Sequence, residues 1–320
     1  MAQQTQLQTT ELGGTGLEVT RVGFGAWAIG GTGYEFAWGE QDDGESVAAI
    51  DRALELGVNW IDTAAVYGLG HSETIVGRAL AGRADRPYVF TKASLLDGGG
   101  GQVLHSLKRD SILREAEASL SRLGIDAIDL YQIHWPNPEA DIEEGWAAMA
   151  ELKEQGLVRH IGVSNFHVEQ LWRIEQLAPV ETLQPPYSLV DRSVEAEILP
   201  FAERAGIGVI VYSPMGSGLL TGAMTRERIA GLSEDDWRKR GDQFTEPQLT
   251  RNLELVARLR VVAERHDATP GGVAVAWTLR NPAVDAAIVG FRRPDQVDPI
   301  VGAASLELTE EDVAELGAEG

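Results

Sequence analysis

The feature that most constrains this chain is an alternation. Short runs rich in β-branched and aromatic residues are each followed by a stretch with helical periodicity. The β-rich runs fall at 22–25, 58–62, 88–92, 128–134, 160–164, 182–184, 208–212 and 286–289. Helical patterns lie near 44–56, 72–81, 109–122, 142–155, 167–177, 194–205, 270–280 and 294–303. Several close on glycine, as in LELG (54–57), SRLG (121–124) and KEQG (153–156), where a left-handed C-cap suits that residue. Strands that alternate with helices predict a parallel sheet with the helices outside. Eight such units are the number that closes a barrel. The competing open, doubly wound sheet calls for a GxGxxG turn after its first strand, and GFGAWAIGG (23–31) fails that spacing at Ala28. The expected fold is α/β, a (β/α)8 TIM barrel made by residues 1–320 as a single domain.

Three segments depart from the repeat. Residues 7–20 read as two short strands around Gly13 and Gly14, a β-hairpin capping the barrel. Residues 213–250 form a long connection after the seventh strand, and a structureless loop of that length inside a domain is usually functional. Residues 250–266 give an extra amphipathic helix. GGGGQ (98–102) lacks the Lys-Ser/Thr of a phosphate loop and reads as a flexible loop tip.

Composition narrows the function. There is no cysteine, which excludes disulfides and thiolate metal sites. The net charge of -22 argues against nucleic acid, whose binders usually carry a basic face. MAQQTQLQTT (1–10) has no basic region followed by an apolar run, and no apolar stretch reaches the roughly 20 residues needed to span a bilayer. The expectation is a soluble, cytoplasmic protein with no membrane partner. Lysine occurs only at Lys92, Lys108, Lys153 and Lys239, so a lysine ending a buried strand calls for a reason.

Barrel enzymes build their sites at the C-terminal ends of the strands. Here those ends carry Trp27, Asp62, Lys92, His134, Ser164 with Asn165, Gln184 and Tyr212, with Arg292 and Arg293 after strand eight. Taken singly, each has a bland reading. Asp before Thr is often a helix N-cap, Lys92 could be exposed, His134 could be a satisfied core histidine, and Tyr67 could merely pack. Taken together, Asp62, Tyr67, Lys92 and His134 make one chemical unit. A phenol serves as a proton donor if its anion is stabilised, and a nearby ammonium lowers its pKa. A carboxylate keeps the ammonium charged and oriented. A neutral imidazole can donate to an oxygen on which charge develops.

The motifs DTAAVYG (62–68), FTK (90–92), YQIHWP (131–136), GVSNF (162–166), QPPYS (184–188), YSPMGSGLLTG (212–222) and IVGFRRPDQ (288–296) together resemble the aldo-keto reductases over nearly the whole chain. WAIGG, HWPNP and LQPPYSL resemble the bacterial general-stress branch of that superfamily most. The resemblance implies a barrel that binds NADPH in an extended pose without a Rossmann motif. It implies reduction of an aldehyde or ketone, or the reverse alcohol oxidation. Tyr67 would be the proton donor, assisted by Lys92, Asp62 and His134. Ser164, Asn165 and Gln184 match positions that hold the nicotinamide carboxamide, and Tyr212 matches the aromatic stacked on its ring. Ser213, Pro214, Met215, Gly216, Ser217, Gly218 and Leu219 lie where a loop wraps the pyrophosphate. Arg292, Arg293 and Gln296 lie where the 2'-phosphate is held. The pattern departs at Pro299 and Ile300, where much of the family has an acidic residue and an asparagine.

Several alternatives stand beside this reading. Trp27 and Trp135 are either walls for an apolar carbonyl substrate or barrel packing. The two arginines either hold phosphate or cap the next helix. The whole chain could be a cofactor-sensing subunit with little turnover. His71 and Glu73 form an HxE pair that a metal-dependent hydrolase would need, but zinc wants at least three protein ligands and no further motif supplies them. The substrate and the oligomeric state are not legible in the residues.

Overall fold

A computed structural model of the chain describes residues 7–317. A hairpin of β1 (Thr9–Glu11) and β2 (Glu18–Thr20) comes first, followed by the barrel strands β3 (Val22–Gly25), β4 (Trp60–Asp62) and β5 (Tyr88–Ala93). An inserted antiparallel pair, β6 (Leu95–Asp97) and β7 (Val103–His105), interrupts the repeat. The barrel resumes with β8 (Ile128–Ile133), β9 (Val158–Ser164), β10 (Thr182–Gln184), β11 (Gly208–Val211) and β12 (Ala286–Gly290). These eight barrel strands are parallel and close on themselves in chain order, as expected for a (β/α)8 barrel.

Helices α1 (Asp43–Glu55), α2 (His71–Leu80), α3 (Arg109–Leu123), α4 (Ile142–Glu154), α5 (Val168–Glu175) and α6 (Ile198–Ala205) follow the first six barrel strands. After β11 come α7 (Arg226–Ala230), α8 (Gln248–Arg265) and α9 (Pro270–Leu279), and after β12 come α10 (Asp298–Val301) and α11 (Glu310–Gly317).

The period of two along a strand sorts the side chains into layers. Trp60, Phe90, Leu130, Ile210 and Ile288 pack together inside the barrel, against Leu12, Leu17 and Val19 of the hairpin. Burying side chains of this size contributes on the order of 1.5–3 kcal/mol each. The hairpin thus plugs the end opposite the strand C-termini, and Trp60 Nε1 donates to Thr20 O at 2.8 Å. Gly23 permits this layer, because a Cβ there would lie 2.1 Å from the Trp60 ring. Two residues further along their strands stand Asp62, Lys92, Gln132 and Tyr212. On the opposite face of these strands Ile61, Val89 and Tyr131 point outward, into the core beneath the helices.

The structure differs from the sequence reading in four places. The segment around GGGGQ is the tip of the β6–β7 hairpin, turned by Gly99, Gly100 and Gly101 at φ 84°, 62° and 84°. The 213–250 connection is not structureless: α7 and several 3-10 turns fold around Leu219, Met224, Ile229, Phe244 and Leu249. The span 294–303 is broken into short turns and α10 rather than one helix. Helix α11 was not expected. Residues 1–6, part of the stretch read against a secretory leader, lie outside the described residues. Among those described, no helix is long and apolar enough to cross a membrane.

Candidate active site

Lys92 ends its run on the inner face of β5, with its ammonium beside the carboxylate that ends β4. Nζ lies 2.5 Å from Asp62 Oδ1, donates to Thr63 O at 2.9 Å, and stands 3.4 Å from the Tyr67 hydroxyl. Asp62 is also met by Gln184, whose Nε2 donates to Oδ2 at 2.9 Å. Gln184 further donates to Gln132 Oε1 at 3.2 Å, and Gln132 Nε2 lies 3.5 Å from Asp62 Oδ2. Asp62 and Lys92 are both buried, so removing either partner would strand a charge out of water. Burial pushes the Asp62 carboxyl up and the Lys92 ammonium down, and their mutual attraction opposes both shifts.

The loop after β4 presents Tyr67 over this pair. Thr63 N donates to Phe90 O, Ser72 Oγ donates to Ala26 O, and the Thr63 and Ser72 hydroxyls are 2.9 Å apart. Gly68 follows at φ +62°, and a Cβ there would sit 2.0 Å from Gly30 O. Only glycine fits this turn, so the phenol is held by backbone geometry. The His134 ring meets the Tyr67 ring edge-on, with centroids 5.7 Å apart at 82°. Burial, then the Asp62 charge, raise the Tyr67 phenol well above its ordinary range. This reverses the lowering expected from a nearby ammonium: desolvation outweighs it, and the phenol is protonated at neutral pH. Burial, then the Lys92 charge, hold His134 well below its ordinary range, so its imidazole is neutral.

The amide group forms one linked set. Ser164 Oγ donates to Gln184 O at 2.8 Å. Asn165, left-handed at φ 64°, donates to His134 O at 2.9 Å and to Ser164 Oγ at 3.0 Å. Its Oδ1 accepts from the Tyr212 hydroxyl at 2.8 Å, which fixes that ring at the end of β11. Both N–H groups of Asn165 and of Gln184 are used internally, so toward an incoming donor each can offer only its amide oxygen, and that of Asn165 already accepts the Tyr212 hydroxyl through one lone pair.

A cavity of about 1190 Å³ opens above these groups. It is large beside the roughly 300–1,000 Å³ of a usual small-molecule site. Asp62, Tyr67, His134, Ser164, Asn165, Gln184 and Tyr212 line one end. Ser213, Pro214, Met215, Ser217 and Gly218 line the cavity as well. Gly216 is not in the wall but turns the chain at φ 55°, and Leu219 points into the small core of the 213–250 segment. Pro299 and Ile300, the departures from the family pattern, line the cavity and give it an apolar edge there.

Arg292 and Arg293 also line the cavity, but neither stands free. Arg292 Nε donates to Gln41 Oε1 at 2.6 Å, and its other nitrogens reach Trp38 O and Glu40 O. Arg293 pairs with Asp295 at 3.0 Å. Gln296 lines the cavity too, but its amide oxygen is turned to the backbone. Its Oε1 accepts the backbone N–H groups of Arg292 and Arg293, so it caps the turn after β12. Two arginines that the sequence reading missed join them: Arg228 and Arg238, from the 213–250 connection. Arg238 is buried, paired with Asp236 at 2.6 Å, and stacked over Trp38 at 4.4 Å. Burial depresses Arg292, and so does the crowding of Arg238, Arg293 and Arg228.

Trp27 and Trp135 both line the cavity. Trp27 belongs to an aromatic wall: it stacks on Trp237 at 5.3 Å and 10°, meets Trp38 edge-on at 5.1 Å, and lies 6.1 Å from Tyr67. The sequence reading missed Trp38 and Trp237, whose loops carry no periodic signal. His71 and Glu73 face different partners. His71 binds Asp43, and Glu73 is buried against Thr91 and Arg122, so the HxE spacing makes no ligand pair.

Comparison with known proteins agrees with this architecture. The Aldo/keto reductase family matches residues 21–318. The chain is 40% identical over 309 residues to the aldo-keto reductase YhdN of Bacillus subtilis, covering 96% of this chain and 91% of that protein. It is 34% identical to the NADH-specific methylglyoxal reductase of Escherichia coli, covering 94% of each. The structure of a glycerol dehydrogenase from Gluconobacter oxydans superposes with a TM-score of 0.86 at 37% identity, covering 96% of this chain and 93% of that one. On its barrel and on these matches, the chain belongs to the aldo-keto reductase family, oxidoreductases that act on small carbonyl compounds with a nicotinamide cofactor.

Proposed function

We propose that this protein is an NADPH-dependent carbonyl reductase in which Tyr67 gives the proton to the substrate oxygen. The observation that carries the reading is the chain of contacts from Asp62 through Lys92 to the Tyr67 hydroxyl, 2.5 Å and then 3.4 Å. Tyr67 is a buried, protonated phenol facing the cavity. As its proton leaves, the phenolate forms beside the Lys92 ammonium, where opposite charge favours it. Asp62, held by Gln184 and Gln132, keeps that ammonium in place. Neutral His134 is set to donate to the carbonyl oxygen as negative charge grows there. A nicotinamide cofactor, when bound in the same cavity, would supply the hydride. Ser164, Asn165 and Gln184 offer carbonyl and hydroxyl oxygens for its carboxamide, and Tyr212, pinned by Asn165, offers a flat aromatic surface.

The preference for NADPH rests on the arginine cluster. Arg228, Arg238, Arg292 and Arg293 crowd one end of the cavity in a chain of net charge -22. Their mutual repulsion falls when a phosphate dianion joins them, and guanidinium forks pair well with phosphate oxygens. Two observations favour NADH instead: Arg292 already has its nitrogens on Gln41, Trp38 and Glu40, and a relative is named NADH-specific.

Trp27, Trp135 and Trp237 would then wall the substrate side, selecting small apolar carbonyls. Steady-state turnover of an aldehyde and ketone panel with each cofactor tests the reading. Repeated turnover that is faster at low NADPH than at equal NADH supports it. Cofactor binding without repeated turnover would instead indicate a sensing subunit, and activity that needs a metal ion would indicate the hydrolase alternative.

A further inference from the structure

Ser94 is a junction of three chain segments at the wall of the inner site. It follows Lys92 by two residues and is wholly buried. Its hydroxyl grips the Trp135 backbone, 3.3 Å from the nitrogen and 3.4 Å from the oxygen. One residue back on each side, His134 N donates to Ala93 O at 3.0 Å. The Ser94 carbonyl accepts from Ser106 N at 3.0 Å, which closes the base of the β6–β7 hairpin whose Leu95 and His105 line the cavity. Its own N–H goes to a carboxylate on the outer helix layer: Glu115 Oε2, at 2.9 Å.

Ser94 adopts φ +86°, which side-chain-bearing residues rarely do. Such strain persists only where the surroundings over-determine it, and it gathers at functional sites. A glycine would take this turn freely but would have no hydroxyl for Trp135. Glu115 is itself buried within α3, and its other oxygen accepts from Ser111 Oγ at 3.2 Å. Nothing in the proton transfer described above uses it.

We propose that Glu115 is a positioning residue: its carboxyl holds the strained Ser94 turn, and through it sets Lys92 and the His134–Trp135 segment against each other. This rests on the reading that Lys92 and His134 assist Tyr67. A second buried carboxylate braces the same strand one residue before Lys92, since Glu73 accepts from Thr91 Oγ1 at 2.6 Å and from Arg122 Nε at 2.6 Å. The two carboxylates bracket Lys92 from outside the barrel. Burial raises the Glu115 carboxyl to about 7, with Glu73 adding to the shift and Ser94, Ser111 and Arg122 opposing it. Its grip on Ser94 therefore does not require a permanent charge, and an amide oxygen can replace it.

The test compares Glu115→Gln, Glu115→Ala and the double variant Glu115→Ala/Ser94→Gly in the full chain. Three quantities are read: kcat for an aldehyde, cofactor Kd, and the His134 ring signals by NMR. Glu115→Ala should lower kcat roughly threefold to tenfold, the share of one ordinary hydrogen bond, with cofactor Kd unchanged. The His134 signals should move. Glu115→Gln should keep both near wild type, and adding Ser94→Gly should recover part of the loss by relieving the turn. If Glu115→Ala does not fold, Glu115→Asp keeps the carboxyl but withdraws it from Ser94 N, and should show the same loss. The proposal is overturned if Glu115→Gln loses as much as Glu115→Ala, or if the alanine and aspartate variants leave kcat and the His134 signals unmoved. A Tyr67→Phe variant that turns over at the wild-type rate would overturn the catalytic reading instead, and the His134 signals would still report on the positioning.

Discussion

The two ends of the cavity are built by different means. At the inner end Asp62, Lys92, Gln132 and Gln184 stand on barrel strands, are buried, and bond to one another. At the outer end Arg228 and Arg238 stand on a connection of 3-10 turns and one short helix, while Arg292 and Arg293 follow the last strand. Arg228 and Arg293 are exposed, and the connection that carries Arg228 and Trp237 rests on its own small core. The inner end is preorganised, as proton transfer at a fixed distance requires. The outer end is assembled from segments that fewer buried contacts hold, the kind that open most readily for a molecule to enter and leave. Chemistry and cofactor grip should therefore be separable by mutation.

The largest separation is expected at Tyr67. Tyr67→Phe removes only the hydroxyl, and turnover should fall by roughly 10²–10⁴ while cofactor binding persists. Steady-state kinetics alongside a fluorescence titration measures both.

Next comes a stability effect on the inner side. The Glu115 carboxyl is raised from its ordinary 4.5 to about 7 in the folded chain. Its contribution to stability is full below pH 4.5, declines as pH rises, and is lost once pH passes about 7. The span is worth about 3 kcal/mol. Urea unfolding across this window should show a steeper loss for wild type than for Glu115→Gln; parallel curves would show that Glu115 is not buried as described.

Smaller changes are expected outside. Arg228→Ala should weaken NADPH by about tenfold and NADH hardly at all, because only the former carries the extra phosphate. An equal loss for both would make the arginine structural. Smallest is Tyr212→Phe, which loses only the bond to Asn165, about 1 kcal/mol, and should raise cofactor Kd a few-fold by letting the ring turn.

The same contrast explains what the residues made legible. The barrel could be read because strand and helix periods repeat, and the inner groups because the period of two carries Asp62 above Trp60 and Lys92 above Phe90. Gln132 was overlooked although the same parity, two residues before His134, places it on the inner face. The β6–β7 hairpin was hidden by four glycines, which look like a loop tip and are in fact its turn. Helix α11 had a signal in Thr309 and Asp312, whose side chain and backbone groups bond reciprocally at its start. Trp237, Arg228 and Arg238 had none. Their placement depends on how a non-periodic connection folds onto loop 30–43, as when Trp237 N donates to Ala37 O. Arg292 and Gln296 were legible as candidates for holding a phosphate but not in orientation, since no spacing foretells that one grips Gln41 and the other caps the turn.

The most direct test of this division is a paired measurement on Tyr67→Phe and Arg228→Ala, taking kcat at saturating cofactor and cofactor Kd for each. The expected result is crossed: the first variant loses kcat and keeps Kd, and the second keeps kcat and loses affinity for NADPH. If either variant loses both quantities together, the two ends act as one unit, and the assignment of proton transfer to the strand-borne end and cofactor grip to the loop-borne end is contradicted.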